Sequence, residues 1–192
     1  MNPLMQQEEP IAAVSSIGSS TAPLPGAPGT RSAHDRGEIV RIELRGEVVP
    51  KGAVKTTVVH DRNGNPILKN GRAIVRKFTP PRTVEYMGFL RVAAQVAMAG
   101  RPPIAGPVEM TMLATMVPPK SWSAKKRERA LRGEIVPMKT PDWTNIGKQE
   151  DALTGVVFLD DSQVVDGRVH KVYGETPGLT IEVRELEGVE GA

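Results

Sequence analysis

The chain is organised around two neighbouring segments close to its C-terminal end: Thr140-Pro-Asp-Trp-Thr-Asn-Ile-Gly-Lys-Gln-Glu-Asp-Ala-Leu-Thr-Gly155 and Phe158-Leu-Asp-Asp-Ser-Gln-Val-Val165. They collect carboxylates, a lysine and side-chain amides around little apolar surface. A helix that begins near Asn145 would carry Asn145, Lys148 and Asp151 in steps of three, so that they drift only slowly around one face. We expect Asp142 and Asp161 to meet in space once the chain folds, with Lys148 beside them.

This acidic stretch predicts a site for Mg²⁺. Two carboxylates such as Asp142 and Asp161 repel each other unless a cation lies between them, and Mg²⁺ prefers one or two carboxylates together with waters and phosphate oxygens. Held in this way, the ion would neutralise a phosphodiester and activate water for its hydrolysis. We take Asp160 as a further ligand, and we expect Lys148 to stabilise the transition state or to orient the water. The alternative is that Asp142 only caps a helix and that Asp160 and Asp161 only form a turn.

The composition sets broad limits on fold and chemistry. With 192 residues the chain can form one domain with a real core, and an aromatic content of 4% makes that core aliphatic. The absence of cysteine excludes disulfides, thiolate zinc sites and cysteine catalysis. A net charge of +3 and a pI of about 9.3 suit a polyanionic partner. No apolar run approaches the roughly 20 residues of a membrane helix and no secretion signal is recognisable, so we expect a soluble cytoplasmic protein that does not bind membranes.

The sequence divides into a tail and one domain. Residues 1–37 are rich in Gly, Pro and Ser and hold too few large apolar residues to offset the entropy of ordering, which predicts a disordered tail. Residues 38–188 form the domain, for which we predict a mixed α/β (α+β) fold with helices packed on a small mixed sheet. Alternation of apolar and polar residues, or a short apolar run, predicts strands. These are residues 39–49, 54–59, 72–78, 108–117, 155–159, 164–173 and 179–186.

Two longer helices are predicted between these strands. The first has Thr83 as its N-cap and ends at Gly100. Its apolar residues recur at helical spacing and are expected to face the core. They are Val84, Met87, Leu90, Ala94 and Met98. The second helix, residues 124–132, has Ser123 as its N-cap.

The excess positive charge lies mainly in two places. Residues 51–78 hold seven lysines and arginines against one aspartate, and an Asn70-Gly71 turn makes this segment a basic hairpin. The helix at 124–132 carries five basic residues against one glutamate, and the preceding Trp122 could stack on a base or serve only as an apolar anchor. Both regions could hold phosphates, although ordinary solvated lysines are the alternative. The expected DNA contacts are Lys51, Lys55, Arg76, Lys77, Lys120, Lys125, Lys126, Arg127 and Lys171.

Three motifs carry a resemblance to a known family: Pro141-Asp-x-x-Asn-Ile-x-Lys148, Asp151-Ala-Leu-x-Gly155 and Asp160-Asp-Ser-Gln-Val-Val165. Together they resemble the signature of the RusA family of Holliday junction resolvases, small endodeoxyribonucleases of phages and prophages. The likeness covers residues 46–183 and is most specific in the acidic motif. It implies a RusA-like mixed α/β fold, a homodimer, and paired nicks in four-way DNA junctions that depend on Mg²⁺, with Mn²⁺ as an alternative ion. It also implies metal ligands at Asp142 and Asp161 and a catalytic lysine at Lys148.

The chain departs from the family pattern at two places. Thr144 stands where the family's Asp-x-Asp-Asn pattern has its second aspartate, so the ion has either one carboxylate fewer or a replacement. The candidate replacements are Glu150, Asp151 and Asp160. The interval from Lys148 to Asp151 is also one residue shorter than in the family, which would rotate Asp151 by about 100° on an α-helix. We therefore treat Thr144, Asn145 and Asp151 as supporting residues.

Two rival functions stay open at this stage. The first is a junction-binding protein whose catalytic centre is weakened at Thr144, which would retain four-way DNA without cutting it in any divalent metal. The second is a related metal-dependent nuclease that acts on flaps or on RNA. Competition among these substrates would separate the second rival from a junction resolvase.

Overall fold

The protein is described by a computed structural model that covers residues 37–188, with a four-stranded sheet at its centre. Its elements are β1 (Ile39–Arg45), β2 (Lys55–Val58), β3 (Leu68–Lys69), β4 (Arg72–Ala73), β5 (Val75–Phe78), α1 (Pro81–Met98), β6 (Val108–Met116), α2 (Ala124–Leu131), α3 (Trp143–Gly147), β7 (Val164–Tyr173) and β8 (Gly178–Glu185). Two 3₁₀ helices, Lys148–Ala152 and Asp161–Gln163, lie between α3 and β7. The predicted tail, residues 1–37, lies outside the described residues except for Gly37. No helix in the described part is long and apolar enough to cross a membrane.

The central sheet shows why the alternating segments form strands. Its order is β1-β8-β6-β7, with β8 antiparallel to β1 and β6, and β6 parallel to β7. Apolar side chains of adjacent strands meet on the same rungs: Ile42 lies opposite Ile181, which lies opposite Met112. All three are buried, so one face of the sheet forms the core. The mixed α+β prediction is confirmed, and β6, β7 and β8 lie within one residue of their predicted bounds.

Three strand predictions differ from the structure: β1 ends early, residues 72–78 form two short strands rather than one, and residues 155–159 form no strand. β1 ends at Arg45 rather than at residue 49, because the chain turns away at Gly46, where φ is +113°. Residues 155–159 form no strand: Gly155 has a φ of +73°, and the segment bends back on itself. Phe158 is nevertheless fully buried. The apolar run therefore reflects burial of a turn in the core, not of a strand within the sheet.

Helix α1 covers the buried face of the sheet beside β1. It begins at Pro81 and its cap position is Pro80, so the prediction of Thr83 as N-cap was wrong. Thr83 is instead buried in the first turn. The buried members of the predicted apolar stripe are Leu90, Ala94 and Met98. Val84 points outward, and Tyr86, which lies outside that stripe, occupies a buried position.

The basic segment forms the predicted hairpin outside the core. β2 pairs with β5, and β3 pairs with β4 at its tip. Asn70 and Gly71 connect β3 to β4 with φ values of +52° and +73°, as a two-residue type I′ turn requires. All residues from 52 to 78 are exposed apart from the half-buried Val58 and Val59. The hairpin is therefore an arm with little apolar attachment to the domain.

Helix α2 is a surface helix with the predicted N-cap. The Ser123 hydroxyl accepts a hydrogen bond from the Lys126 N–H at 3.4 Å. The helix buries only Ala130. At its C-terminal end Arg129 and Arg132 both pair with Glu134, each at 2.8 Å. These two arginines are engaged within the protein, whereas the basic residues of the first turns face solvent.

Candidate active site

The acidic stretch folds as a helix that tightens midway. α3 continues directly into the 3₁₀ helix that begins at Lys148. A 3₁₀ helix has three residues per turn, so positions three apart are aligned, and Lys148 lines up with Asp151. On an α-helix, the short spacing between Lys148 and Asp151 would rotate Asp151 away, whereas the 3₁₀ helix keeps the two residues aligned. Ile146 and Leu153 are fully buried and anchor the segment to the core, as their spacing predicted.

Three carboxylates converge at this segment. One oxygen from each of Glu150, Asp151 and Asp161 lies within 4.8 Å of the other two. Glu150 is half-buried, and its Oε2 atom is buried with no hydrogen-bond partner among the described residues. Burial raises the pKa of Glu150 and the charge of Asp161 raises it further, against the lowering effects of its own backbone N–H and of Lys51. The donors fit a divalent cation, because hard carboxylate oxygens suit Mg²⁺ and the orphaned buried oxygen lacks a partner of its own.

Two predicted ligands lie outside this acidic group. Of the described residues, the group includes Asp161 but neither Asp142 nor Asp160. Asp142 is exposed at the start of α3. Asp160 caps the second 3₁₀ helix: its Oδ1 accepts a hydrogen bond from the Ser162 N–H at 3.0 Å, and the hydrogen bonds from Ser162 hold the Asp160 pKa below its usual range. The convergence of Asp142 with Asp161 and the metal role of Asp160 stay predictions, while the 3₁₀ helix supplies two other carboxylates.

The predicted catalytic lysine lies next to the acidic group. Lys148 is exposed, and its Nζ donates a hydrogen bond to the Asn145 Oδ1 at 3.4 Å. Burial raises the pKa of Glu150, and the charge of Lys148 acts in the opposite direction. Thr144 is also exposed, and its carbonyl accepts a hydrogen bond from the Lys148 N–H. Asn145 therefore orients the ammonium group, whereas the Thr144 side chain adds no charge.

A second lysine reaches the acidic group from a distant part of the sequence. Lys51, expected in the DNA-binding hairpin, forms an ion pair through its Nζ with the Oδ2 of Asp151. Its N–H donates to the carbonyl of Asn145 at 3.0 Å. The side-chain amide of the buried Gln149 donates to the carbonyl of Val49 at 2.9 Å. The chain that leaves β1 is thus bound to α3 through Lys51 and to the 3₁₀ helix through Val49.

Lys171 holds the segment that leads into the acidic stretch. Its Nζ donates to the carbonyl of Lys139 at 2.9 Å and to that of Pro141 at 3.0 Å. Both acceptors lie directly before Asp142 in the sequence. The structure thereby gives Lys171 a positioning contact, and its contact with DNA stays a prediction.

Strand register divides the basic residues of the hairpin between two faces. Arg76 lies opposite Thr57, which is two residues from Lys55 on β2. Because successive strand residues point to opposite faces, Lys55 and Arg76 share one face and Lys77 projects from the other. All three are exposed. A phosphate backbone that follows the first face would meet Lys55 and Arg76 together.

The ring of Trp122 is already in contact within the protein. The Nζ of Lys126 lies 4.1 Å from its centroid, and the ring of Tyr173 packs edge-on against it at 5.5 Å between centroids. A half-buried ring with a lysine over one face fits an anchor for α2 better than a stacking platform for a base. The remaining predicted DNA contacts in this region are exposed: Lys120, Lys125 and Arg127.

Two residues of the site, Glu150 and Lys51, were not predicted as its principal members. Glu150 stood only among the replacements for Thr144, because its position depends on the change from α-helix to 3₁₀ helix, which no residue pattern announces. Lys51 was grouped with the hairpin by charge alone.

Comparisons with known proteins cover most of the described fold. The family model described as "Endodeoxyribonuclease RusA" matches residues 55–184. The chain is 33% identical over 154 residues to "Uncharacterized protein YqaN" of Bacillus subtilis (strain 168), over 78% of this chain and 98% of that protein. The family match includes the hairpin, α1, the acidic group and Lys148, while Lys51 precedes it.

Proposed function

The chain belongs to the RusA family of endodeoxyribonucleases, and we propose that it resolves four-way DNA junctions by paired, symmetric nicks that depend on Mg²⁺. The family consists of metal-dependent Holliday junction resolvases that bind branched DNA, so the protein is a nuclease that hydrolyses phosphodiester bonds. The observation that carries the proposal is the convergence of Glu150, Asp151 and Asp161.

The acidic group provides the ligands that the proposed ion requires. Glu150, Asp151 and Asp161 would hold it through carboxylate oxygens. Asp142, at the start of α3, is proposed as a further ligand because the family resemblance assigns this aspartate to the metal. A bound ion supplies charge neutralisation at the scissile phosphate and lowers the pKa of an attacking water. Mn²⁺ accepts the same oxygen ligands in similar geometry and should substitute for Mg²⁺.

Lys148 is proposed to act on the phosphate itself. The hydrogen bond from its ammonium to Asn145 restricts the conformations of a long side chain at the rim of the acidic group. A positive charge fixed in advance stabilises the negative charge that develops on the phosphate oxygens in the transition state. Asn145 would then be a positioning residue for Lys148.

The basic arm and α2 are proposed to hold the junction. Lys55 and Arg76 present charge on one face of the hairpin, and Lys125 and Arg127 present it on α2. Contacts to phosphates alone report backbone shape rather than base sequence, and they weaken steeply with salt. This recognition mode suits a branched substrate whose defining property is its shape.

A homodimer is part of the proposal, because two symmetric nicks require two catalytic centres. A two-fold axis would place one centre on each of two opposed strands. Helix α1 offers an exposed apolar patch for such a contact: Val84, Val92 and Val96 lie on one broad side and are 57%, 48% and 56% exposed. Wild-type protein should sediment as a dimer, and Val92→Glu should sediment as a monomer at the same concentration. A monomeric wild type would remove this part of the proposal.

The direct test is incubation with a synthetic four-way junction, with and without Mg²⁺, followed by mapping of the product ends. We expect two nicks at symmetry-related positions on opposing strands, and no nicks when the metal is chelated. If a flap or an RNA is cut faster than the junction in competition, that molecule is the preferred substrate and the protein is not a junction resolvase.

Thr144 supports one rival, a junction-binding protein with weakened catalysis. The residue contributes a hydroxyl where the family pattern has a carboxylate. Thr144→Asp should raise the cleavage rate if the centre is weak but intact. If the wild type retains junctions in a gel without nicking them in any divalent metal, and Thr144→Asp does not restore nicking, the rival is the better description.

A further inference from the structure

We propose that Lys51 is the resident counter-ion of the acidic group, a positioning residue that holds Asp151 in the metal-free protein and yields it when a divalent cation binds. The inference deepens the proposed function and rests on its metal site. It assigns a role to a residue that lies before the matched family region.

The backbone around Lys51 is fixed to the helix that carries the carboxylates. The Lys51 N–H donates to the carbonyl of Asn145 at 3.0 Å. Two residues earlier, the Val49 carbonyl accepts from the side chain of Gln149 at 2.9 Å, and Gln149 is fully buried. The N–H of Gly52 also donates to the carbonyl of Pro50 at 3.0 Å, which closes a tight turn at Lys51. These contacts fix the backbone position from which the Lys51 side chain extends.

From this position the Lys51 side chain reaches the acidic group. The Lys51 ammonium pairs with Asp151, and only 31% of the Lys51 side chain is exposed. Three carboxylates so close together repel one another unless a cation is present. Lys51 provides that cation in the absence of metal.

The backbone contacts that hold Lys51 distinguish its ion pair with Asp151 from an ordinary surface ion pair. Exposed pairs contribute little and their long side chains are free to separate. Lys55 shows the contrast: it lies four residues further on, at the base of the hairpin, and is exposed. Because an ammonium and a divalent ion compete for the same carboxylate, Lys51 should lower metal affinity while it preserves the shape of the metal-free site.

The test is a titration of Mn²⁺ into the metal-free full-length protein without DNA, with free ion followed by electron paramagnetic resonance. Lys51→Met should bind Mn²⁺ about 3- to 10-fold more tightly than wild type and should melt at a lower temperature when metal-free. Lys51→Arg should retain wild-type affinity to within about 2-fold because it keeps the charge. Lys55→Met is the matched control and should not change the affinity. Unchanged or weaker Mn²⁺ binding by Lys51→Met would overturn the inference.

A second measurement needs no variant and covers the case in which Lys51→Met does not fold. Limited acylation of the wild-type protein by an N-hydroxysuccinimide ester, read by mass spectrometry, should modify Lys51 faster after Mn²⁺ is added, with no change at Lys55. Slower or unchanged modification of Lys51 would contradict its release. Because neither measurement involves DNA, failure of junction cleavage counts against the proposed function, whereas these outcomes count against Lys51.

Discussion

The acidic segment and the basic hairpin are attached to the protein in opposite ways. Between Ile146 and Phe158 the chain buries apolar side chains at short intervals, and its carboxylates stand on a backbone held by the core. The hairpin, residues 52–78, has only Val58 and Val59 half-buried and is otherwise exposed. Metal coordination requires fixed distances, whereas phosphates can be held by side chains that adapt. Under the proposed function, the core-anchored acidic segment carries the chemistry and the exposed hairpin captures the substrate.

The largest effect is expected in the acidic segment. Asp161→Asn replaces a charged oxygen ligand by an amide, and we expect cleavage of a four-way junction to fall more than about 100-fold, comparable with loss of one preorganised group in other active sites. Junction binding in a gel should remain, because the basic arm is untouched. Cleavage in Mg²⁺ at a normal rate would break the proposed division of labour.

The matched control for this variant is Asp166→Asn. Asp166 lies on β7, pairs with Arg168 at 2.5 Å and is not a member of the acidic group. Its replacement should leave cleavage within about 2-fold of wild type, since isolated exposed ion pairs contribute little. The companion variant Asp142→Asn should also abolish cleavage and retain binding; full activity would remove Asp142 from the ligand set.

The acidic segment and the hairpin should also contribute unequally to the free energy of unfolding. Phe158 is fully buried in the core, and Phe158→Ala should lower the free energy of unfolding by about 3–5 kcal/mol. Leu68 in the hairpin is 59% exposed, and Leu68→Ala should change it by no more than about 0.5 kcal/mol. Urea unfolding of both variants measures the difference. Equal losses would mean that the hairpin belongs to the cooperative core.

A smaller effect is expected from the charges of the arm. Arg76→Ala should weaken junction binding and reduce the slope of log affinity against log salt by about 1, with little change in the cleavage rate at saturating DNA. Arg168→Ala removes an arginine that is paired on β7 and serves as the control. A loss of rate at saturating DNA with unchanged affinity would place Arg76 in the chemistry instead.

The smallest effect concerns the loop of the hairpin. Backbone N–H groups of Asn65 and Asn63 each donate to Asp61 at 2.8 Å, and the hydrogen bond from Asn65 is the main cause that lowers the Asp61 pKa. The ionised carboxylate therefore orders the loop above its unfolded pKa of about 3.9, and this order is lost as pH falls through the lower folded value. Amide resonances of Asn63 and Asn65 should shift over that window, and Asp61→Asn should abolish the shift. A shift that persists in Asp61→Asn would exclude this origin.

Sequence patterns anticipated the elements whose local chemistry agrees with their environment. Alternation located β6 and β8 because one face of each strand is buried and the other is mostly polar. Asn70-Gly71 and Ser123 specified a turn and a cap because few other residues satisfy those backbone positions.

The failures were places where tertiary contacts decide the local structure. Residues 155–159 resemble a buried strand in composition, but the positive φ of Gly155 turns them. The acidic motif was recognisable in the sequence, but the participation of Glu150 and Lys51 in the site was not. Glu150 is positioned by a 3₁₀ helix, and Lys51 reaches Asp151 because two chain segments that are far apart in sequence lie side by side. Neither signal exists within any local window of the sequence.

The most direct test of the acidic group is anomalous diffraction from crystals of the protein grown or soaked with Mn²⁺. We expect one strong anomalous peak per chain within coordination distance of Glu150, Asp151 and Asp161, about 2.0–2.3 Å from their oxygens, and loss of that peak in Asp161→Asn. A peak held by other residues, or none at concentrations that support cleavage, would contradict it.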